Sequence, residues 1–368
     1  MILTPPLMSS TPPPPGSICL LRLSALGDVC NTVPLVRSLQ NAWPGTPVTW
    51  IVGRLEHRLV ADLPDVEFIV FDKRAGRVAI SDFRRQLKGR QFDILLHAQI
   101  SLRANLLGRL IKAGRRIGFD RARSRNGHTL AVTERIAARP FQHQAEAFLE
   151  FARYLGLATD DIDRRLPVPT QALEFARQHQ PEPGRSVLIS PASSHAARNW
   201  HAGGYAAVAD WVIEQTGRPV ILVGGPSEIE RKLGRDIESA MRQRPVNLIG
   251  RDTLKQAVAM LGRAACLITP DSGPAHLAAA MGTPVVGLYA ATWSRRSGPL
   301  GSLEHCVDCF PEAAQKYLGK APEQIRWGRK LQYPGVMDLI TPEAVIRRLE
   351  HLLVLGGDRE TLATQDPA

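Results

Sequence analysis

The chain has 368 residues, enough for two domains of ordinary size, and 44% of them are hydrophobic, as in a soluble globular protein. No run of 18 apolar residues occurs, which excludes an ordinary transmembrane helix, and residues 1–16 lack the pattern of a secretory signal. The net charge is +11, and twelve Lys/Arg against two Asp lie between Arg84 and Arg125. This basic stretch favours an anionic glycan, lipid or nucleic acid, and a solvated face with no ligand is an equal alternative.

The chain begins with a proline- and serine-rich stretch, residues 1–16, which predicts a disordered leader. The five cysteines are an odd number and favour buried, reduced thiols in a cytosolic protein. Cys306 and Cys309 form a CxxC pair, but no second pair lies nearby, so the pattern gives a zinc site little support. We therefore predict no metal site.

The first half of the chain alternates short apolar runs with helical patterns. This alternation predicts a parallel sheet with helices on both faces. A helical stretch at about 142–157 and a polar, proline-containing linker at 160–180 follow. The predicted strands are 17–23, 47–52, 66–71, 92–97 and 116–119, and the predicted helices are 29–42, 77–88 and 102–113.

The same rhythm restarts after the linker. We therefore expect an N-terminal doubly wound domain over 17–180, a C-terminal one over 181–355, and a tail over 356–368, with the two domains facing across a cleft. The predicted strands are 186–189, 219–223, 246–249, 264–269 and 285–289, and the predicted helices are 205–216, 229–241, 254–261, 275–281 and 340–355.

The stretch 264–289 is the most informative part of the chain. A buried strand ends at Pro270, and Asp271, Ser272 and Gly273 can then cap a helix that carries His276 in its opening turns. Such a helix start at the carboxyl edge of a parallel sheet suits a nucleotide or a phosphate. A crossover that binds no ligand is the alternative.

Three other loops that follow strands carry polar groups. Asp28 is placed to serve either as a general base or as a helix N-cap, and its position alone favours the cap. Ser193, Ser194 and Arg198 suit a phosphate, and Glu228 follows a Gly-Gly turn where it suits sugar hydroxyls. Without other support, the loop with Ser193, Ser194 and Arg198 is equally consistent with an ordinary polar loop, and the Gly-Gly turn is a weak signal.

Seven arginines of the first half are candidates for holding an anionic acceptor, although most of them individually suit a solvated surface equally well. They are Arg22, Arg84, Arg85, Arg103, Arg115, Arg116 and Arg121.

From about Ser17 to Leu353, the chain resembles the bacterial ADP-heptose:lipopolysaccharide heptosyltransferases of glycosyltransferase family 9, which have the GT-B fold. The strongest stretch is TPDSGPAHLAAAMGTPVVGLY, and the second is LRLSALGDVCNTVPLVRSL. SPASSHAARNW and GGPSEIER resemble the other donor-contacting segments of the family. Departures include Arg198 where Lys is frequent, residues 97–100 in place of an Asp-x-Gln-Gly pattern, and an atypical segment after Cys309.

The resemblance implies a role for each candidate. It makes Asp28 the catalytic base and places Ser193, Ser194 and Arg198 at the donor diphosphate and Glu228 at the ribose. It further implies inversion in a single displacement, without metal or cofactor, with ADP-heptose as co-substrate. The residues that it implies around the heptose and the diphosphate are Asp271, Ser272, Gly273 and His276.

The first hypothesis is therefore transfer of heptose from ADP-L-glycero-D-manno-heptose to the lipopolysaccharide inner core. It places the enzyme in the cytoplasm, peripheral at the inner membrane, with the basic stretch facing the membrane without insertion. One alternative is a GT-B transferase with another nucleotide sugar or acceptor, and a lesser one is a non-enzymatic anion- or nucleic-acid-binding protein. No nucleic-acid-binding motif occurs, and SALGD follows the first strand where a dehydrogenase has G-x-G-x-x-G.

Overall fold

The computed structural model describes residues 12–353, which form two compact units, one up to Arg164 and one from Arg165. Each unit contains a parallel sheet of six strands with helices in the crossovers. The predicted α/β class with two doubly wound sheets is confirmed. The tail, residues 356–368, and residues 1–11 of the expected leader lie outside the described residues.

Unit 1 contains the first sheet, in the order β3-β2-β1-β4-β5-β6. Its strands are β1 (Ile18–Leu21), β2 (Val48–Gly53), β3 (Val66–Phe71), β4 (Phe92–His97), β5 (Ala113–Gly118) and β6 (Glu134–Arg135). Its helices are α1 (Leu26–Cys30), α2 (Val33–Ala42), α3 (Arg54–Val60), α4 (Gly76–Gln86), α5 (Leu102–Gly108) and α6 (Glu146–Tyr154).

Unit 2 repeats that arrangement, because its sheet runs β9-β8-β7-β10-β11-β12. Its strands are β7 (Val187–Ile189), β8 (Val220–Leu222), β9 (Val246–Asn247), β10 (Cys266–Pro270), β11 (Val285–Tyr289) and β12 (Val307–Asp308). Its helices are α7 (Thr170–His179), α8 (Ala202–Thr216), α9 (Glu228–Ala240), α10 (Leu254–Arg263), α11 (Gly273–Ala280), α12 (Ser294–Ser297), α13 (Phe310–Leu318) and α14 (Pro342–Leu353).

Burial of apolar side chains against both faces of each sheet explains the near-continuous hydrophobic strands. In unit 1, Phe83 of α4 and Leu107 of α5 pack in one core with strand residues such as Leu21 and Leu95. In unit 2, Trp200 and Tyr205 are among the largest buried side chains. Each strand order reverses direction between its first and fourth strands, which creates a crevice at the carboxyl edge where α/β proteins bind ligands.

The structure corrects several predicted boundaries. The helix expected over 29–42 is broken between Cys30 and Val33, and the helix expected over 102–113 ends at Gly108, where β5 soon follows. The expected linker, 160–180, contains α7, which packs against α10, so the units divide at Arg164 and not at 180. Of the expected disordered leader, Pro12 accepts a hydrogen bond from Trp43 Nε1 at 2.8 Å and Gly16 donates to Asp93 at 2.5 Å.

The five cysteines are free thiols, and four of them are buried, as expected. Burial raises the pKa of Cys306 to about 12 and that of the half-buried Cys309 to about 11. Among residues 12–353, no three metal-ligating side chains come together in a cluster.

Candidate active site

Asp28 lies in the first turn of α1, directly after the strand β1 at the switch point of unit 1. The N-cap of α1 is Ala25, which has no side-chain capping bond, so the interpretation of Asp28 as an N-cap is wrong. Its carboxylate is held from both sides: Arg22 donates to Oδ2 and Gln144 Nε2 donates to Oδ1. The Asp28 side chain is 19% exposed, so it is oriented by two donors and still accessible to a ligand.

Arg22 is buried, in contrast to its predicted place on a basic acceptor face. Besides its ion pair with Asp28, it donates to the carbonyl of Ala98 at 2.8 Å, and its guanidinium lies 5.1 Å from the centre of the Phe148 ring. Burial lowers the pKa of Arg22, and the Asp28 charge acts against that shift. Arg22 therefore orients the carboxylate and is not a surface contact for an acceptor.

The other six candidate arginines of unit 1 are of three kinds: one bonds backbone carbonyls, two make ion pairs, and three are exposed without an ion pair in the described part of the chain. Arg116 donates to the carbonyls of Ala131, Ile111 and Gly108 and serves the fold. Two more make ion pairs, Arg115 with Glu134 at 2.6 Å and Arg85 with Asp82 at 2.8 Å. Those that are exposed and, among the described residues, form no ion pair are Arg84, Arg103 and Arg121.

The corresponding edge of unit 2 carries the helix start predicted from the sequence. The strand β10 ends at Pro270, Ser272 is the N-cap of α11, and Gly273 is its first residue. The Ser272 hydroxyl is 2.8 Å from Thr269 Oγ1 and does not cap the helix. No side chain therefore occupies the Gly273 N–H at the start of α11, which suits an anion site.

Arg198 pairs with Asp271 beside this helix start. Its NH1 lies 3.2 Å from Asp271 Oδ2 and 3.3 Å from the Asp271 carbonyl, and each side chain is only 12% exposed. Arg198 Nε is buried without a hydrogen-bond partner among the described residues. This leaves one donor of the guanidinium available for a further acceptor.

The remaining candidates are distributed around this pair. The Ser193 N–H donates to Asn199 Oδ1 at 2.7 Å and its hydroxyl donates to the His195 carbonyl at 2.9 Å, so that hydroxyl already has a partner. Ser194 is exposed on the same loop, and His276 is half-buried on α11.

Lys330 and Arg296, which the sequence analysis did not single out, are two cations near the Arg198–Asp271 pair. Lys330 precedes Leu331, whose N–H bonds the Ala291 carbonyl at 2.8 Å at the end of β11. Burial lowers the pKa of Lys330, Arg198 and Arg296 lower it further, and Asp271 raises it. These charges make the edge cationic, with one carboxylate among three cations. A sequence pattern gives no hint of this because Arg198, Arg296 and Lys330 are far apart in the chain.

Glu230, and not the sugar-binding candidate Glu228, bonds the Gly224–Gly225 turn. Glu228 is 77% exposed and pairs with Arg235 on α9. Glu230 instead accepts from the Gly225 N–H at 2.7 Å and from Ser227 Oγ at 2.5 Å. Ser227 is the N-cap of α9, and this spacing of Ser and Glu, three residues apart, is the signal that could have favoured Glu230. Burial, with the Glu230 charge adding to it, raises the pKa of the nearby Asp252 to about 6.

Comparisons with known proteins show the family of the chain. The family model of glycosyltransferase family 9 (heptosyltransferase) matches residues 80–323. The chain belongs to glycosyltransferase family 9. The match includes the whole Arg198 and α11 region, whereas Asp28 precedes it.

Individual relatives cover nearly all of the chain. The lipopolysaccharide core heptosyltransferase OpsX of Haemophilus influenzae is 37% identical over 92% of this chain and 97% of that protein. A family 9 glycosyltransferase structure from Veillonella parvula superposes with a TM-score of 0.74 at 22% identity, over 92% of this chain and 97% of that one. The structure of E. coli heptosyltransferase WaaC with ADP gives 0.70 at 20% identity, over 91% and 99%. The predicted resemblance to the heptosyltransferases is confirmed.

None of the helices in the described part of the chain combines the length and apolar character needed to cross a bilayer.

Proposed function

We propose that this family 9 glycosyltransferase moves heptose from ADP-L-glycero-D-manno-heptose to the inner core of lipopolysaccharide, in the Kdo/heptose region, with inversion. The Haemophilus influenzae relative, of which the match spans 97%, is a lipopolysaccharide core heptosyltransferase, and this supports the acceptor class. The observation that carries the proposal is the Arg198–Asp271 pair beside the uncapped start of α11. The Arg198 guanidinium supplies positive charge and the uncapped helix start supplies a backbone N–H beside it, a combination that suits a nucleoside diphosphate.

The proposed reaction is a single displacement. An acceptor hydroxyl gives its proton to the carboxylate of Asp28 as its oxygen forms a bond to the anomeric carbon of the donor. The bond from that carbon to the diphosphate breaks, and ADP leaves with the bonding electrons. A general base contributes about 10²–10⁴-fold in such steps.

Unit 2 would stabilise the leaving group. Negative charge grows on the diphosphate as the bond breaks, so fixed cations and helix N–H groups favour the transition state over the bound donor. Arg198 supplies the first of these charges, with Ser194, Ser272 and Gly273 offering further donors. The Ser193 hydroxyl would have to exchange its bond to the His195 carbonyl for one to the diphosphate. Asp271 and His276 would meet the heptose and the diphosphate, and Glu228 or Glu230 the ribose.

Unit 1 would activate the acceptor. Arg22 and Gln144 fix both oxygens of Asp28, so the carboxylate needs little reorganisation when the hydroxyl arrives. The exposed Arg84, Arg103 and Arg121 remain candidates for the anionic groups of the acceptor.

The proposal includes catalysis without a metal or cofactor, because Arg198 and the cations near it can carry out the charge neutralisation that a metal provides in other transferases. It also includes a cytoplasmic enzyme that works peripherally at the inner membrane. Nucleic acid is not part of the proposal.

Calorimetric titration with ADP, ADP-heptose and UDP-glucose, each with and without EDTA, tests the donor assignment. We expect both ADP ligands to bind, UDP-glucose not to bind, and EDTA to change nothing. A preference for UDP-glucose would keep the transferase and reject the sugar, and loss of binding in EDTA would reject metal independence. Absence of all binding would reject the function and favour a non-enzymatic anion-binding protein.

A further inference from the structure

The helix α5 presents leucines on the side where a surface helix normally presents polar residues. Its inward residues, Ala104 and Leu107, pack in the core of unit 1. On its outward side Leu102 is 60% exposed and Leu106 is 57% exposed. Since residues four apart share one face of a helix, these two leucines form an apolar strip on the surface.

A third exposed leucine lies on a neighbouring turn. Leu130, 75% exposed, ends the 3-10 turn His128–Leu130, which contacts α5. Asn105 of α5 fixes the loop before this turn, because its Nδ2 donates to the carbonyls of Arg125 at 3.1 Å and Asn126 at 2.8 Å. The leucines are therefore held on a fixed part of unit 1.

Unpaired positive charge accompanies these leucines. The segment 101–130 has eight Lys/Arg and one acid, Asp120, which is buried and paired with Arg123. Arg103, Arg121 and Arg125 are exposed and form no ion pair with any residue of the described range. We define the α5 surface as Leu102, Leu106 and Leu130 with Arg103, Arg121 and Arg125.

We propose that the α5 surface docks unit 1 on an anionic lipid bilayer, with the three leucines inserted among the headgroups. Exposed aliphatic side chains in a segment that also carries exposed arginines without ion pairs match a surface whose outside is anionic and whose inside is apolar. The α5 surface lacks aromatic side chains for stacking on bases, so lipid fits it better than nucleic acid. This proposal differs from the sequence-based expectation of membrane contact without insertion, and the experiments below distinguish the two.

This docking would place the base at the surface where a lipid-linked acceptor is found, a consequence that rests on the proposed function. The carboxylate pair is connected to the start of α5: Arg22 donates to the Ala98 carbonyl, and Gln99 accepts from the Leu23 N–H at 2.7 Å. Gln99 Nε2 then donates to Ser101 Oγ, the N-cap of α5, at 3.2 Å. The bilayer contact and Asp28 thus share one end of the unit 1 sheet.

Co-sedimentation with vesicles tests the docking. We expect binding to phosphatidylglycerol/phosphatidylethanolamine vesicles that weakens with salt, and little binding to phosphatidylcholine. The triple variant Leu102→Ser, Leu106→Ser, Leu130→Ser should bind anionic vesicles at least tenfold less. The matched control, Ile229→Ser, Val246→Ser and Leu303→Ser, changes three apolar side chains of unit 2 that are 62%, 47% and 37% exposed, and it should bind normally. Unchanged binding of the triple variant, or no binding of the native chain, would overturn the proposal and, in the second case, favour a protein partner.

Insertion has its own readout, which does not depend on the stability of the triple variant. An environment-sensitive fluorophore on Leu106→Cys should shift to the blue with anionic vesicles, and one on Ile229→Cys should not. An equal shift of the emission at both sites, or no shift at either, would exclude insertion.

Turnover separates this inference from the proposed function. The triple variant should keep native turnover on a deacylated, water-soluble acceptor and lose at least tenfold on the same acceptor embedded in vesicles. Equal losses on both would show that the leucines act on the fold or the chemistry, against docking. If the native chain binds vesicles and transfers heptose to neither acceptor, the proposed function is rejected and the proposed docking of the α5 surface is kept.

Discussion

The two units have the same strand order and one Arg–Asp pair each at the switch point, yet the pairs are surrounded differently. In unit 1, Arg22 and the neutral Gln144 hold Asp28, and the local charge is balanced. In unit 2, Asp271 holds Arg198, and Lys330 and Arg296 add positive charge. The surroundings, and not the fold, make one edge suited to accept a proton and the other suited to bind a diphosphate.

The units also differ in what they bury. Among the described residues, the buried histidines, His97 and His128, are both in unit 1, with ring centres 4.7 Å apart. His128 Nε2 accepts from the Phe119 N–H at 3.0 Å, and Nδ1 lies 3.0 Å from Asn105 Oδ1. Protonation of His128 at Nε2 would break the first of these bonds.

This difference predicts that acid unfolds unit 1 before unit 2. Burial lowers the pKa of His97 to about 3, helped by the charge of His128, and burial also lowers the pKa of His128 to about 4. The unfolded chain takes up these protons near pH 6.5 and the folded chain does not, so stability is lost as pH falls below 6.5. Each histidine should lower the free energy of unfolding by about 2 kcal/mol as the pH falls from 7 to 5.

Hydrogen exchange, corrected for the intrinsic rates, checks this order. Protection of β4 and α5 should fall at pH 5 relative to that of β10. The variant His97→Leu should remove about half of the pH dependence of protection in unit 1, and the protection of β10 in the same variant is the internal control. Equal loss of protection in both units would contradict the prediction that acid unfolds unit 1 first.

Removing the carboxylate of unit 1 should impair catalysis and spare donor binding. We expect Asp28→Asn to lower kcat by about 10²-fold or more, the usual contribution of a general base, with the ADP dissociation constant unchanged. Steady-state turnover and calorimetry measure the two effects separately, and Asp82→Asn on α4 is the control. Near-normal turnover would mean that Asp28 only organises the loop around Arg22.

Removing the cation of unit 2 should have the opposite signature. The variant Arg198→Ala should weaken ADP binding by about 10- to 100-fold, because a charged hydrogen bond contributes about 1.5–3 kcal/mol. Arg185→Ala, which removes an exposed arginine paired with Glu182, is the matched control. An unchanged ADP affinity would remove Arg198 from the site and leave the α11 start as the anion site.

The sequence predicts the architecture well because its strongest signals are local. The strand–helix–strand unit around α11 was predicted almost residue by residue, since apolar runs, Pro270 and Gly282 mark its ends. The helix α7 was missed because its stretch is polar and flanked by prolines, and its helical form depends on packing against α10. Most residues of α7 are nevertheless good helix formers, so a local helix signal was present and the neighbouring prolines hid it.

The site was predicted less completely, because a sequence gives residue types and not their partners. Asp28 and Arg198 follow strands and were found, whereas Gln144 and Lys330 lie far from them in the chain. Arg22 was placed with the surface arginines because a count of charges does not distinguish a buried guanidinium from an exposed one.

Gln144 offers the finest test of the comparison, because it is the neutral partner that unit 2 lacks. The variant Gln144→Ala should lower kcat several-fold and leave the ADP affinity unchanged. The loss in kcat is expected because the carboxylate of Asp28 is then held from one side only, by Arg22. Steady-state turnover and calorimetry, with Gln86→Ala on the exposed side of α4 as the control, measure the two quantities. If the stability changes and kcat does not, Gln144 serves only the packing of the segment before α6, and the orientation of Asp28 rests on Arg22.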